Sequence, residues 1–303
     1  MITSDNALNG PDRTRIRAWL VTTSGIVSML LAVQFLTGIL LAFYYVPSVD
    51  HAFITVEYIE KVLSSGAWIR SLHHYGSQWL PFFLFLHVVR LFVTRAYVDR
   101  NKEWIASILV LGLVMAGGGT GYSLPWDARA FFSTRIAEGL MDGLPFVGRM
   151  ARLWLLGGSE ISTITLSRFF AMHVLVIPGL IVAVMVWRRL ALHDLRRNAI
   201  AVGVIFTALA LWSWKFHAPL GPTTTQMRAD FVPRPGAQFL WLYQTLKYVP
   251  DGLGSIIGLV LPGIALALLI LLRWLRGSRL IGGLILGGGA LLIIVMTVAA
   301  YIT

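Results

Sequence analysis

Two histidines, His73 and His87, stand 14 residues apart in the apolar stretch RSLHHYGSQWLPFFLFLHVVR. In an α-helix, that interval is about 21 Å of rise and roughly 40° of rotation. The two imidazoles therefore share one face near opposite ends of a membrane-length helix. A third histidine, His173, lies near the start of another apolar stretch, RFFAMHVLVIPGLIVAVMVWRR, at the depth of His73. Ionisable groups inside a membrane are costly and are functional candidates by default. Imidazole is a strong axial ligand for haem iron, so two histidines at matched depth on separate helices can clamp one haem. Histidines packed against backbone partners are the competing explanation. Ser24 and Gly38 are also 14 residues apart, as are Ser107 and Gly121. Small residues admit the close approach of a flat macrocycle, although ordinary helix packing uses them too.

The second stretch lacks a matching partner for His87. Fourteen and fifteen residues beyond His173 stand Trp187 and Arg188, and an arginine stays protonated with no lone pair to give. His193 is 20 residues past His173. An unbroken helix would turn it about 200° away and carry it about 7.5 Å beyond Arg188. Arg188 could pair with an anionic group, or be a charged helix end reaching for the membrane surface.

The elements that must position these residues follow from composition. Of 303 residues, 57% are hydrophobic and 13% charged, with a mean hydropathy of +0.74. Soluble domains are about 45–50% apolar and about 25% charged. The expected fold is an all-α polytopic transmembrane bundle of about seven spans, at roughly 22–46, 76–97, 104–125, 169–190, 198–216, 252–274 and 279–301. A segment at 127–167, with short amphipathic pieces, and a Pro-, Gly- and Thr-rich segment at 217–250 are long enough to be functional. The pI of about 10.4 fits basic residues between apolar spans better than nucleic-acid binding. In a seven-span arrangement one side carries 14 of the 25 basic and 5 of the 14 acidic residues, which predicts a cytoplasmic N-terminus, outward-facing long segments and an outer C-terminus. The N-terminal residues show no cleaved-signal pattern, and RTRIRAWL could form an interfacial helix. With no cysteine, the chain cannot itself hold a disulfide, an iron–sulfur cluster or a thioether-linked haem.

The chain resembles the cytochrome b family, the haem b membrane subunit of quinol–cytochrome c oxidoreductases and of their plastoquinol-oxidising counterparts. The resemblance rests on QFLTGILLAFYY, the two-histidine stretch above, EWIASIL followed by GYSLPW, LPFVGRMARLWLLGG, TLSRFFAMH and FVPRPGAQFLWLYQTLKYVPDGLGSIIG. Seven spans resemble the photosynthetic type with its two pieces fused. This implies a four-helix haem domain over 1–197, with an outer hairpin at 127–167, and a three-helix domain over 198–303 with a quinol-site-like loop at 217–250. It further implies that His73 and His173 ligate an outer haem b and His87 an inner one. Gln34, Gly38, Arg70, Arg90, Ser107, Gly121, Arg168 and Arg188 would be haem contacts. Tyr122, Pro125, Trp126, Phe131, Pro235 and Gly236 would line an outer quinol pocket, with His193 and Asp194 near an inner quinone. An iron–sulfur protein or c-type cytochrome would dock outside, the chain would form a homodimer among membrane lipids, and its home would be a bacterial-type cytoplasmic membrane.

Two positions break the pattern. The inner haem lacks its second histidine. Where the family carries Pro-Glu-Trp-Tyr, this chain has Pro235, Gly236, Ala237 and Gln238, and glycine cannot take the quinol proton that the glutamate accepts. Asp127, Glu138, His217 and Asp230 are candidate replacements, or solvated loop charges. The expectation is a divergent haem b subunit of a quinone-linked complex that does not run a standard Q cycle. The alternatives are an ordinary Q-cycle subunit with compensated sites and a redox-inactive membrane anchor. A transporter would show broken helices and internal repeats, which are not seen in the sequence. The chain alone would not be a complete oxidoreductase.

Overall fold

In lipid, a backbone satisfies its own hydrogen bonds only as a helix or a closed barrel, and the apolar runs here are helical. The computed structural model describes residues 11–188, 198–228, 231–250 and 252–302, with side chains from residue 23 onward. We number the helices α1 (Pro11–Ala42), α2 (Ala52–Lys61), α3 (Gly66–Val93), α4 (Asn101–Ser123), α5 (Ala128–Asp142), α6 (Gly148–Leu156) and α7 (Thr163–Arg188), then α8 (Ala199–Lys215), α9 (Ala237–Leu246), α10 (Ile256–Trp274) and α11 (Ser278–Ile302). There is no strand among the described residues. Helix α7 contains a π-helical turn at Met172–Val176.

Six helices (the described part of α1, α3, α4, α7, α10 and α11) are long and apolar enough to cross a membrane. The seventh expected span is the shorter α8, whose 17 residues rise about 26 Å, close to the roughly 30 Å of a hydrocarbon core. Helix α3 begins ten residues before the expected boundary at 76, because Arg70 is neutralised inside the protein by Glu60 at 2.5 Å. His73 is thereby two turns inside a helix rather than in a connector. The segment 127–167 folds as α5, α6 and the first residues of α7. Within 217–250 only α9 is regular, and it packs on the last turns of α11.

Helices α1, α3, α4 and α7 form the bundle that carries the histidines, with α8 against α1 and α3 and α10 against α4. Leu30, Leu80, Leu84, Ile177 and Leu209 fill its middle. Toward the His87 end, Val88, Leu91, Tyr97, Trp104 and Ile108 of the first half pack with Leu269, Leu272 and Leu286 of the second. Trp104 is wholly buried, and its Nε1 donates to the Leu269 carbonyl at 2.6 Å. This bond joins α4 to α10 across the two halves of the sequence.

We expect W104A to cost about 3–5 kcal/mol, as for large aromatic truncations in packed cores, and W104F only about 0.5–1.5 kcal/mol for the lost bond, since the Leu269 carbonyl keeps its bond from Leu272 N. Unfolding in mixed detergent micelles measures both; equal stability of W104A and the parent would refute the role.

Candidate haem and quinone site

The outer site is built by pairing each histidine with a neighbouring helix. Thr37 of α1 donates its hydroxyl proton to the Val33 carbonyl at 2.5 Å, so toward His73 Nδ1, 2.9 Å away, it can only accept. The His73 proton is therefore on Nδ1 and the Nε2 lone pair is available. His173, in the π turn of α7, has Nδ1 3.0 Å from the Gly117 carbonyl of α4. A carbonyl only accepts, so this ring is fixed in the same tautomer. Such second partners are how ligating histidines are oriented. The ring centres lie 6.0 Å apart at 80°. Two imidazole–metal bonds of about 2 Å each would set ring centres roughly 6 Å apart.

The surroundings fit a flat, iron-bearing group. A methyl on Gly38 would sit 3.1 Å from His73 Cε1, and one on Gly121 would collide with His173. A side chain on Gly76 would collide with Gln34, whose Nε2 is buried with no hydrogen-bond partner. Among the described residues no three His, Asp or Glu side chains gather as a bare metal-ion centre. Paired imidazoles between glycines suit a macrocycle that brings its own four equatorial donors. Of the expected arginine contacts, Arg70 is held by Glu60 and the Ala218 carbonyl, and exposed Arg168 by the Trp154 carbonyl.

The inner site differs. His87 is buried, with Nδ1 3.1 Å from the Thr23 hydroxyl, which also receives Arg90 Nη1 at 2.9 Å. His87 opens on a narrow cleft lined by Ser24, Val27, Ser28, Leu31, Leu84, Ala106, Ser107, Val110, Val184, Met185 and Arg188. The π turn decides between the two positions open to a second ligand. It absorbs one residue, leaving Arg188 fourteen α-helical steps beyond His173, while Trp187 is exposed on the outside of the bundle. Helix α4 gives the same register. Gly117 faces His173, and Glu103, fourteen residues earlier, accepts from Arg188 Nη2 at 2.9 Å. Of the two, Arg188 is thus the residue that faces the bundle interior, held as an ion pair. His193 and Asp194 lie outside the described residues.

At the end of the bundle that holds His73 and His173, Tyr122 donates to the Arg234 carbonyl at 3.2 Å, and its ring covers Gly236. This brings the end of α4 onto the Pro235–Gly236 segment, beside Gln238, whose Oε1 is buried without a partner. Trp126, in the left-handed region at φ 53°, stacks edgewise on Phe131, and Pro125 lies between it and Leu124. Tyr45 donates to the Leu124 carbonyl at 2.8 Å. The candidate proton acceptors are occupied. Asp127 caps α5 through Ala130 N and receives Gly221 N at 2.7 Å. Glu138 pairs with Arg135 and Arg152. Exposed His217 approaches Glu60 at 3.4 Å. Asp230 lies outside the described residues. Sequence reasoning passed over Thr23, Thr37, Gly117 and Glu103, yet Thr23 and Thr37 are 14 apart, as are Glu103 and Gly117, the interval of the histidines themselves.

Residues 12–196 match the family model described as Cytochrome b/b6/petB. The menaquinol:cytochrome c reductase cytochrome b subunit of Geobacillus thermodenitrificans is 34% identical over 170 residues, covering 55% of this chain and 76% of that one. Cytochrome b6 of Mastigocladus laminosus is 35% identical over 162 residues, covering 53% and 75%. A chain of a hyperthermophilic respiratory Complex III shares the fold, with a TM-score of 0.64 at 18% identity over 93% of this chain and 91% of that one.

Removing the acceptor from His73 Nδ1 with T37A should weaken haem retention about 10–100-fold, the usual cost of losing an orienting partner. G121L should abolish haem at the outer pair while leaving helix content unchanged. Haem transfer to apomyoglobin reads the first and pyridine haemochrome the second; undiminished retention in both would exclude a haem between these rings.

Proposed function

The chain belongs to the cytochrome b/b6/petB family, and from that premise we propose that it is the haem b-carrying membrane subunit of a quinone-linked electron-transfer complex. The observation that carries this is the outer pair, two neutral imidazoles 6.0 Å apart, each with Nδ1 committed to an acceptor on a neighbouring helix. A haem b held there supplies a one-electron carrier between quinol chemistry and a soluble redox partner. The residues supply the rest. His73 and His173 offer their Nε2 lone pairs, Gly38 and Gly121 give a macrocycle room, and Gln34 offers an amide donor beside His73.

The quinol-facing surface is built from Tyr122, Pro125, Trp126, Phe131, Pro235 and Gly236. Gln238 Oε1 is positioned to accept a hydrogen bond from a quinol hydroxyl, but an amide cannot take the proton away. The carboxylates of Asp127 and Glu138 are already committed to backbone amides and arginines. Proton release from a quinol therefore lacks the family's glutamate, and the cross-membrane path has Arg188 in place of a histidine. Both changes favour quinone-linked electron transfer without a standard, glutamate-dependent Q cycle. The name of one relative, a menaquinol:cytochrome c reductase subunit, supports a c-type cytochrome as an outer-face partner, and the family resemblance favours an iron–sulfur protein beside it. The charge asymmetry of the loops favours a cytoplasmic N-terminus and an outer C-terminus in a bacterial-type membrane, and the family resemblance favours a homodimer. The two-part organisation, 1–197 and 198–303, is compatible with a family match confined to the first part.

The purified complex should be given quinol, an inner-site inhibitor and then a pulse of oxidant. We expect no additional haem b reduction on the pulse. Oxidant-induced haem b reduction, the sign of quinol electrons splitting between two paths, would overturn the non-bifurcating reading.

A further inference from the structure

The family resemblance implies a second haem b at His87, and the residues there do not fit one. Helices α1, α3, α4 and α7 all line the cleft beside His87, and together they leave about 30 Å³ open. Sites for small molecules and cofactors are roughly 300–1,000 Å³. The register of the helices gives the reason. At the other end of the bundle, Gly38 and Gly121 stand against the imidazoles of His73 and His173, with no room for a methyl group. Fourteen residues earlier on the same helices, Ser24 and Ser107 face the His87 cleft. Each adds a Cβ and a hydroxyl to the wall, and both are buried.

The α7 side of the cleft is closed by charge. Arg188 donates from Nη2 to Glu103 Oε1 at 2.9 Å, and Arg100 Nη1 lies 3.1 Å from the other carboxylate oxygen. The side chains of Arg188 and Glu103 are each only 18% exposed. Parting them to admit a macrocycle would strand two charges among apolar side chains, which is costly. The guanidinium has no lone pair to offer iron in return. The pair also has a structural task. Helices α4 and α7 are joined at one end by His173 Nδ1 on the Gly117 carbonyl. Fourteen residues before Gly117, Glu103 and Arg188 join the same two helices at the other end.

We propose that the chain carries one haem b, between His73 and His173, and that the Glu103–Arg188 ion pair fills the His87 end of the bundle as a helix-to-helix joint in place of a second. No redox centre then stands at the depth of His87. Electron transfer through the chain is confined to the end that holds the paired histidines. This rests on the reading that His73 and His173 hold haem b.

The test uses the purified complex with the full-length chain. Haem b per chain is measured by pyridine haemochrome, with a potentiometric titration of the same sample. Expected are one haem b per chain and a single one-electron component. H173A should lose it, while H87L should leave haem content and midpoint unchanged. E103Q should lower the thermal unfolding temperature more than E103Q/R188M does, because the single change leaves Arg188 without its carboxylate, and both should keep one haem. Two haems b per chain, or a haem lost on H87L with the other retained, would overturn the inference while sparing the function proposed above. An unfolding temperature indifferent to E103Q would remove the joint. A complex with no haem b in this chain would overturn both the inference and the reading on which it rests. The haem count and titration of the parent decide the question even where a variant fails to fold.

Discussion

A neutral imidazole can ligate a metal only when its one proton is held at the other nitrogen, and inside a membrane no water is present to hold it. That constraint organises the bundle. His73 gives its proton to a threonine on α1 whose own proton is spent on Val33, and His173 gives its proton to a backbone carbonyl of α4. Each ligand is thus oriented by a helix other than the one it belongs to. Four helices must pack in one register for both lone pairs to be free at the same depth. The core of Leu30, Leu84, Ile177 and Leu209 between them holds that register through non-directional burial, while the hydrogen bonds choose it.

The same register carries through to the His87 end of the bundle. Pairs 14 residues apart recur on α1, α3 and α4, so whatever is built outside has a counterpart inside. Thr37 has Thr23, Gly38 has Ser24, His73 has His87, and Gly121 has Ser107. Only α7 departs, replacing an imidazole with Arg188, and α4 answers with Glu103. A single arginine at this depth would leave an uncompensated charge among apolar side chains, which is costly. Its pairing with Glu103 keeps the helix in place without returning a ligand.

Much of this was legible in the sequence. The histidine interval fixed the two depths, and the small-residue pairs marked the positions that face the histidines. Composition and apolar runs were enough for an all-α membrane bundle, and the structure bears out its architecture with one span shorter than expected. What the sequence did not reveal has physical causes. A uniform helix cannot choose between Trp187 and Arg188, because the π turn at Met172–Val176 that absorbs a residue leaves no signature in the apolar pattern. The start of α3 was hidden because Arg70 looks like a boundary until Glu60 is brought beside it by α2. Thr23 and Thr37 read as ordinary polar residues in an apolar helix, and only the fold shows which imidazole each one faces.

The most direct measurement is an electron cryomicroscopy map of the purified complex, examined at the outer histidine pair. The structure predicts macrocycle density between Gly38 and Gly121, with iron bound by Nε2 of both His73 and His173 and their Nδ1 atoms still on Thr37 and the Gly117 carbonyl. Side chains packed directly against one another with no intervening density, or a macrocycle ligated by other residues, would contradict it.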